Sequence, residues 1–212
     1  GIMLMMHGDD KGLVIPPRIA PLHVGIVPVA HEKEPKVLEK AEELKRRLSK
    51  KHTVIIDGRE GYSPGFKFND LELKGVPLRL EIGPRDLKEG NVVLVRRDNG
   101  EKKIIKEDDL EKEVQGMLDA MHQNLFAEAK RLLDESIVVV SGMDELKAAI
   151  ADKKLASALF CNDPDGECEE HIKAESGGAG ARNIPLDQEP EDGKCIWCGK
   201  PAKYRAIFGK SY

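Results

Sequence analysis

No stretch of this 212-residue chain approaches the roughly 18 consecutive apolar residues of a membrane span. The run Ile2-Met3-Leu4-Met5-Met6 is also too brief for a signal-peptide core. These absences lead us to expect a soluble, cytoplasmic protein with no membrane partner. Low-complexity tracts and internal repeats are missing. An excess of positive charge is missing too: 34 Lys and Arg stand against 38 Asp and Glu, a net of −4 with a pI near 5.9. Any nucleic-acid site is therefore a local patch, not a broad basic face. The glycine run Gly177-Gly178-Ala179-Gly180 lacks the Gly-Lys-Ser/Thr of a phosphate-binding loop, so a flexible turn is expected there. Cysteine is absent from the first 160 residues. All four cysteines come later, and without a secretory signal metal ligation is favoured over disulfides.

What charge there is falls unevenly. Residues 1–133 carry 24 Lys and Arg against 23 Asp and Glu, a net of +1, whereas residues 134–212 carry 10 against 15, a net of −5. The length suffices for two small domains. Apolar on both faces, residues 2–6 read as a strand from the middle of a sheet, as though the chain began inside a domain. Asp9 and Asp10 lie in a Gly-flanked turn and are read as turn formers, not a metal pair.

Residues 21–30 read as a buried strand. In 34–50, Val37, Leu38, Ala41, Leu44 and Leu48 recur at helical spacing. Thr53-Val54-Ile55-Ile56-Asp57 is a second strand, parallel to the first through a right-handed crossover. Beyond it Arg59, Glu60, Tyr62, Phe66, Lys67 and Phe68 set aromatic faces beside both signs of charge, the combination that stacks an unpaired base and bonds its edge. A short helix over 64–73 and strands over 77–82, 91–97 and 102–106 follow, the last two joined at Asp98-Asn99-Gly100-Glu101. A long helix spans 107–133. After it come a strand at 136–141, a helix at 144–152 with Leu146 and Ile150 inward, and a strand at 155–160 leading into the cysteines.

Gly75-Val76-Pro77-Leu78-Arg79-Leu80-Glu81-Ile82-Gly83-Pro84-Arg85-Asp86-Leu87 resembles the anticodon-binding domain of class II aminoacyl-tRNA synthetases, where such a strand ends in a Gly-Pro-Arg-Asp-like turn. Ser63-Pro64-Gly65-Phe66-Lys67-Phe68 and Glu72-Leu73-Lys74-Gly75 narrow the resemblance to the archaeal and eukaryotic type of prolyl-tRNA synthetase. Residues 7–17 are similar to the exit from motif 3 of that family's catalytic domain. Motifs 1 and 2 and the motif 3 arginine are absent, so no catalytic residue is assigned and the chain alone is expected to be inactive.

Cys161-x6-Cys168 and Cys195-x2-Cys198 form the two-knuckle layout of a tetrahedral zinc site, with His171 as the competing fourth ligand. In the family this domain holds zinc through four cysteines, with a shorter first spacing. Cys161, Cys168, Cys195 and Cys198 correspond to those ligands, and the ion is expected to be structural.

The expected architecture is α/β. A catalytic-domain remnant at 1–20 precedes a five-stranded mixed anticodon-binding domain at 21–133, ordered βαβαβββα, and a smaller α/β zinc-binding domain at 134–212. The resemblance implies tRNA(Pro) as partner. It also implies ATP and Mg2+ in the parent enzyme, dimerisation through the absent catalytic domain, and a C-terminal tyrosine, here Tyr212, reaching toward that domain. The RNA-binding candidates are Arg59, Glu60, Phe66, Lys67, Arg79, Glu81 and Arg96. Proline anticodons share two guanines, whose Watson–Crick edge calls for a carboxylate beside a cation; Arg79 with Glu81 and Glu60 with Lys67 are the candidate pairs, with Arg96 on a phosphate. The alternatives are a free-standing tRNA-binding or regulatory protein, the equivalent part of a threonyl-, glycyl- or histidyl-tRNA synthetase, and a protein-interaction role for 134–212.

Overall fold

The computed structural model describes residues 1–211 and divides into two compact units, Gly1–Ala129 and the residues from Lys130 onward. Tyr212, and with it the expected role of a C-terminal tyrosine, lies outside the described residues.

The first unit opens with helix α1 (Ile2–His7) and not with the expected strand. Among the described residues no strand pairs with this run, and its backbone groups bond within it, Met5 N–H donating to Gly1 at 3.1 Å and Gly8 N–H to Leu4 at 2.9 Å. None of its residues is buried. The sheet then assembles from β1 (Val24–Pro28), helix α2 (Lys36–Leu48), β2 (Val54–Ile56), helix α3 (Pro64–Leu73), β3 (Leu78–Ile82), helix α4 (Pro84–Glu89), β4 (Asn91–Arg96) and β5 (Lys102–Lys106). Its order is β2-β1-β3-β4-β5. Strand β1 is parallel to both neighbours and buried throughout, as its apolar sequence requires, while β3, β4 and β5 are antiparallel.

Helix α5 (Leu110–Ser136) follows a short 3-10 turn, and its Leu110, Val114, Met117 and Leu118 join Val37, Ala41, Leu44 and Leu48 of α2 on one face of the sheet. Alternation leaves the other face with a different character. Leu71 of α3 packs there against Val27 and Val76, so closely over β1 that a side chain at Gly25 would meet Leu71 at 2.6 Å. Farther across that face the register aligns Arg79, Val95 and Lys102 in one row and Glu81, Val93 and Ile104 in the next.

Helix α4 replaces the expected turn at Gly83-Pro84-Arg85-Asp86. Pro84 opens it, the Asp86 carboxylate accepts from the Gly83 N–H at 2.9 Å, and Gly90 closes it at φ +64°.

The second unit has a four-stranded sheet, β6-β7-β11-β8, built from β6 (Ile137–Val139), β7 (Leu155–Phe160), β8 (Ala179–Asn183) and β11 (Tyr204–Lys210). Helix α6 (Met143–Ala151) buries Leu146 and Ile150, as its spacing indicates. Helix α7 (Glu167–Glu175) buries Ile172, and Phe160 meets Phe208 edge-on at 5.4 Å. The ribbon of β9 (Gly193–Lys194) and β10 (Pro201–Ala202) carries the second cysteine pair. The glycine run departs from expectation. Gly177 and Gly178 do turn at positive φ, but Ala179 and Gly180 belong to β8 and pair with Lys210 and Gly209 of β11.

Candidate functional site

Beyond the C-terminal end of β2, Arg59 is locked from two sides. Its Nε and Nη2 donate to the Asp57 carboxylate at 2.8 and 2.6 Å, and Nη2 also reaches Asp70 at 2.6 Å. These hydrogen bonds hold the Asp57 carboxyl below its ordinary pKa. The guanidinium lies 5.1 Å from the Tyr62 ring and 5.6 Å from that of Phe66, which are 4.7 Å from each other. Both rings are about half exposed, at 49% and 48%. The result is an open aromatic platform backed by a fixed cation, suited to stacking a flat π-system.

The expected partnership of Glu60 with Lys67 does not form. Glu60 is exposed, whereas Lys67 is turned inward on α3 and buried. Ser63 caps that helix, its hydroxyl accepting from the Phe66 N–H, which fixes Phe66 on the outer side and Lys67 on the inner.

Arg79 and Glu81 do pair, Nε to Oε1 at 3.0 Å, within a longer chain of charge. Arg79 Nη1 donates to Glu72 of α3 at 2.6 Å, its guanidinium stacks 4.2 Å over Phe68, and Lys102 donates to Glu81 Oε2 at 3.1 Å. The side chains of Arg79 and Glu81 retain only 12% and 11% of their exposure, so this is a partly desolvated pair at the surface's edge. Beside it opens a cavity of about 530 Å³ walled by Lys11, Phe68, Asn69, Glu72 and Arg79. Arg96 is engaged differently: its guanidinium is buried, held by Asp98 at 2.9 and 2.7 Å and by Glu101 at 3.2 Å. Sequence reasoning missed Glu72, Asn69 and Lys102. Two of them come from the helix laid across β1, and the third depends on the β4–β5 register, which no single segment reveals. Asp9 is the turn former expected, its carboxylate accepting from the Lys11 N–H at 2.9 Å. It also accepts from both terminal nitrogens of Arg97 at 2.7 and 2.6 Å, a contact across 88 positions that local sequence does not show, and is thereby drawn down to a pKa of about 2.

In the second unit the four cysteine sulfurs come together, all within 4.8 Å of one another. Cys161 Sγ lies 3.6 Å from that of Cys168 and 3.7 Å from that of Cys198. A tetrahedral zinc with bonds of about 2.3 Å places its sulfurs about 3.8 Å apart, so the spacing fits that ion. The second knuckle closes through Cys195 N–H donating to Lys200 at 2.8 Å and Gly199 N–H to Cys195 at 3.1 Å, with Gly199 at φ +69°. Cys168 enters from the first turn of α7, beyond a tight bend at Gly166. Burial pushes the Cys161 and Cys168 thiols up, whereas the Lys200 N–H draws exposed Cys198 down to about 7. A central cation would supply the counter-charge under which all four ligate as thiolates. His171 stands outside this set and stacks on Trp197 at 5.0 Å.

Comparison with known proteins matches both units. The family model described as an anticodon binding domain covers residues 23–117, and that described as prolyl-tRNA synthetase, C-terminal, covers residues 143–212. Along its whole length the chain is 46% identical to a proline-tRNA ligase of Alkaliphilus oremlandii and 46% identical to one of Clostridium novyi. It is 45% identical to one of Clostridium botulinum strain Langeland. The chain spans 44% of the length of each of these relatives. In order along the chain, then, lie a segment similar to an anticodon binding domain and one similar to the C-terminal domain of prolyl-tRNA synthetase.

Proposed function

We propose that this chain is the tRNA-binding portion of a proline-tRNA ligase, in which the first unit reads the anticodon of tRNA(Pro) and the second is held together by structural zinc. The observation that carries the reading is the Arg79–Glu81 pair, 3.0 Å apart and partly desolvated, on a face that also bears Phe68 and the cavity beside it. A carboxylate next to a guanidinium complements the N1–H, N2–H and O6 edge of guanine. Arg59, Tyr62 and Phe66 supply the stacking surface, with exposed Glu60 at its rim. Lys67 and Arg96, both buried, act through the scaffold of this surface.

Cys161, Cys168, Cys195 and Cys198 would take the zinc. With every position of the tetrahedron filled by protein, the ion stabilises a fold and leaves no place for substrate. ATP, Mg2+, dimerisation and ligation belong to the catalytic domain that the resemblance implies for the parent polypeptide, acting in the cytoplasm. The archaeal and eukaryotic type is assigned on the motifs and on the order of an anticodon domain before a four-cysteine domain; the relatives named above are bacterial, so the type denotes architecture and not source.

Binding of the chain to an anticodon stem-loop carrying both proline guanines, compared with one in which they are replaced, tests the reading. We expect clear preference for the first, and equal affinity would defeat it. The same sample should show no proline-dependent exchange of pyrophosphate into ATP.

A further inference from the structure

Six histidines occur in the chain, and three of them, His23, His52 and His122, wall one cavity of about 200 Å³. It sits where β1 and β2 begin, at the opposite end of those strands from Arg59. Arg18 and Lys51 also line it, with Asp119 and Gln115 from α5. Most of these groups lack partners. Among the described residues Arg18 and Lys51 form no ion pair, and His122 Nδ1 is the one buried side-chain polar atom without a hydrogen bond. The His122 ring is part of the wall, so a ligand in the cavity offers the missing partner once the ring turns about its Cβ–Cγ bond.

The donors can be assigned. His23 Nδ1 accepts from the Thr53 backbone N–H at 3.0 Å, which leaves the proton of a neutral ring on Nε2. The His52 ring meets that of His23 edge-on at 5.7 Å and makes no hydrogen bond. The single carboxylate, Asp119, already accepts from Gln115 at 3.0 Å. Two unpaired cations and three imidazoles thus face one partly satisfied acid, a balance that calls for an anion. The arrangement does not suit a metal ion, because among the described residues only the four cysteines bring three or more ligand atoms within 4.8 Å of one another. We propose that this cavity binds a phosphate group, with Arg18 and Lys51 as counter-charges and the three imidazoles as hydrogen-bond donors.

Affinity should rise as pH falls and the His52 ring takes up a proton, which adds a donor and a charge; His23 Nδ1 is held by the Thr53 N–H and adds no donor there. Burial, then the neighbouring His23 and Lys51, holds the His52 pKa below its ordinary value, and a bound anion opposes all three effects. Around the imidazoles the fixed charges are Arg18 and Lys51, positive, and Asp119, negative.

Inorganic phosphate titrated into the full chain at pH about 6, just under the ordinary imidazole value, can be followed through the ring-proton resonances. Those of His23, His52 and His122 should move together and saturate, while those of His7, His31 and His171 stay in place. Replacing exposed Arg18 and Lys51 together by alanine should weaken binding about tenfold or more. Asp119→Asn, which removes the only carboxylate, should tighten it. The proposal is overturned by a non-saturating response, by an equal response to sodium chloride of matched ionic strength, or by unchanged affinity in the double variant. An RNA stem-loop added in phosphate-free buffer separates the sources. Movement of the same three resonances, reversed by phosphate, identifies a backbone phosphodiester; still resonances identify free phosphate. Failure of anticodon recognition would leave the phosphate titration intact, so the two readings fall separately.

Discussion

The sulfurs of Cys161 and Cys198 lie 3.7 Å apart although 37 positions separate them in the chain, and Cys161 lies as near to Cys168 on its other side. Four thiols crowded so closely make a poor hydrophobic cluster, since one is exposed and inclined to ionise. They suit a divalent ion. We expect one zinc per chain in protein purified without added metal, measured by elemental analysis. The sole tryptophan, Trp197, sits between two ligands and against His171, so chelation should change its fluorescence. Cys195→Ser should loosen the second unit and leave the first folded, because the metal's folding energy is local to its ligands. Metal-free protein with a fully folded second unit would sink the assignment.

Asp9 offers a test by pH. Arg97 holds its carboxyl at a pKa of about 2, under the ordinary 3.8, so the contact stabilises the fold above about pH 4 and that stability is lost as pH falls through 2. Solvent screens the acid, which is 42% exposed, and the gain is well below what the shift alone implies. Asp9→Asn should lower the urea midpoint at neutral pH, and the gap from the parent should close as pH approaches 2. A gap that does not change with pH would show that the pair contributes shape and not charge.

Arg96 separates scaffold from contact. It meets Asp98, whose side chain is 1% exposed, at 2.7 Å, and its own side chain is 8% exposed. Truncating one member of such a pair strands a buried charge, with a cost of about 3 kcal/mol. Arg96→Ala should therefore shift the denaturation midpoint strongly. If instead stability holds and the salt dependence of RNA binding flattens, the guanidinium contacts phosphate directly.

Much of this was legible in sequence because periodicity reports burial. The expected strand over 102–106 and helix over 64–73 have their observed limits, and the buried face of α2 falls where Val37, Ala41, Leu44 and Leu48 recur. What failed depended on neighbours or on caps. Residues 2–6 have the pattern of a central strand, but among the described residues no strand pairs with them and their backbone is satisfied as a helix. Helix α4 was signalled by Pro84, Asp86 and Gly90, yet six residues are too few for a period to show. The cysteines were legible because chemistry fixes their spacing. Lys67 was misplaced because its direction is set by the Ser63 cap and not by its own loop-like surroundings.

The two carboxylate oxygens of Glu81 have different neighbours. Oε1 accepts from Arg79 at 3.0 Å and Oε2 from Lys102 at 3.1 Å. Arg79 is anchored further by Glu72 and by Phe68 beneath it, whereas Lys102 is 57% exposed and free to swing aside. A guanine edge could then take the Lys102 position, N1–H and N2–H donating to the carboxylate and O6 accepting from the displaced ammonium. Glu81→Gln keeps the size of the side chain but replaces one acceptor oxygen with a donor. Affinity for a stem-loop with both guanines should fall by about 1–3 kcal/mol, the range for stranding a buried polar partner. Its salt slope should barely change, because no phosphate contact is lost. Stability is the control: Arg79 still bonds to Glu72, so the variant should remain folded. Should Glu81→Gln bind guanine and non-guanine loops as the parent does, the Arg79–Glu81 pair is scaffold, and the bases must be read on the Arg59, Tyr62 and Phe66 platform.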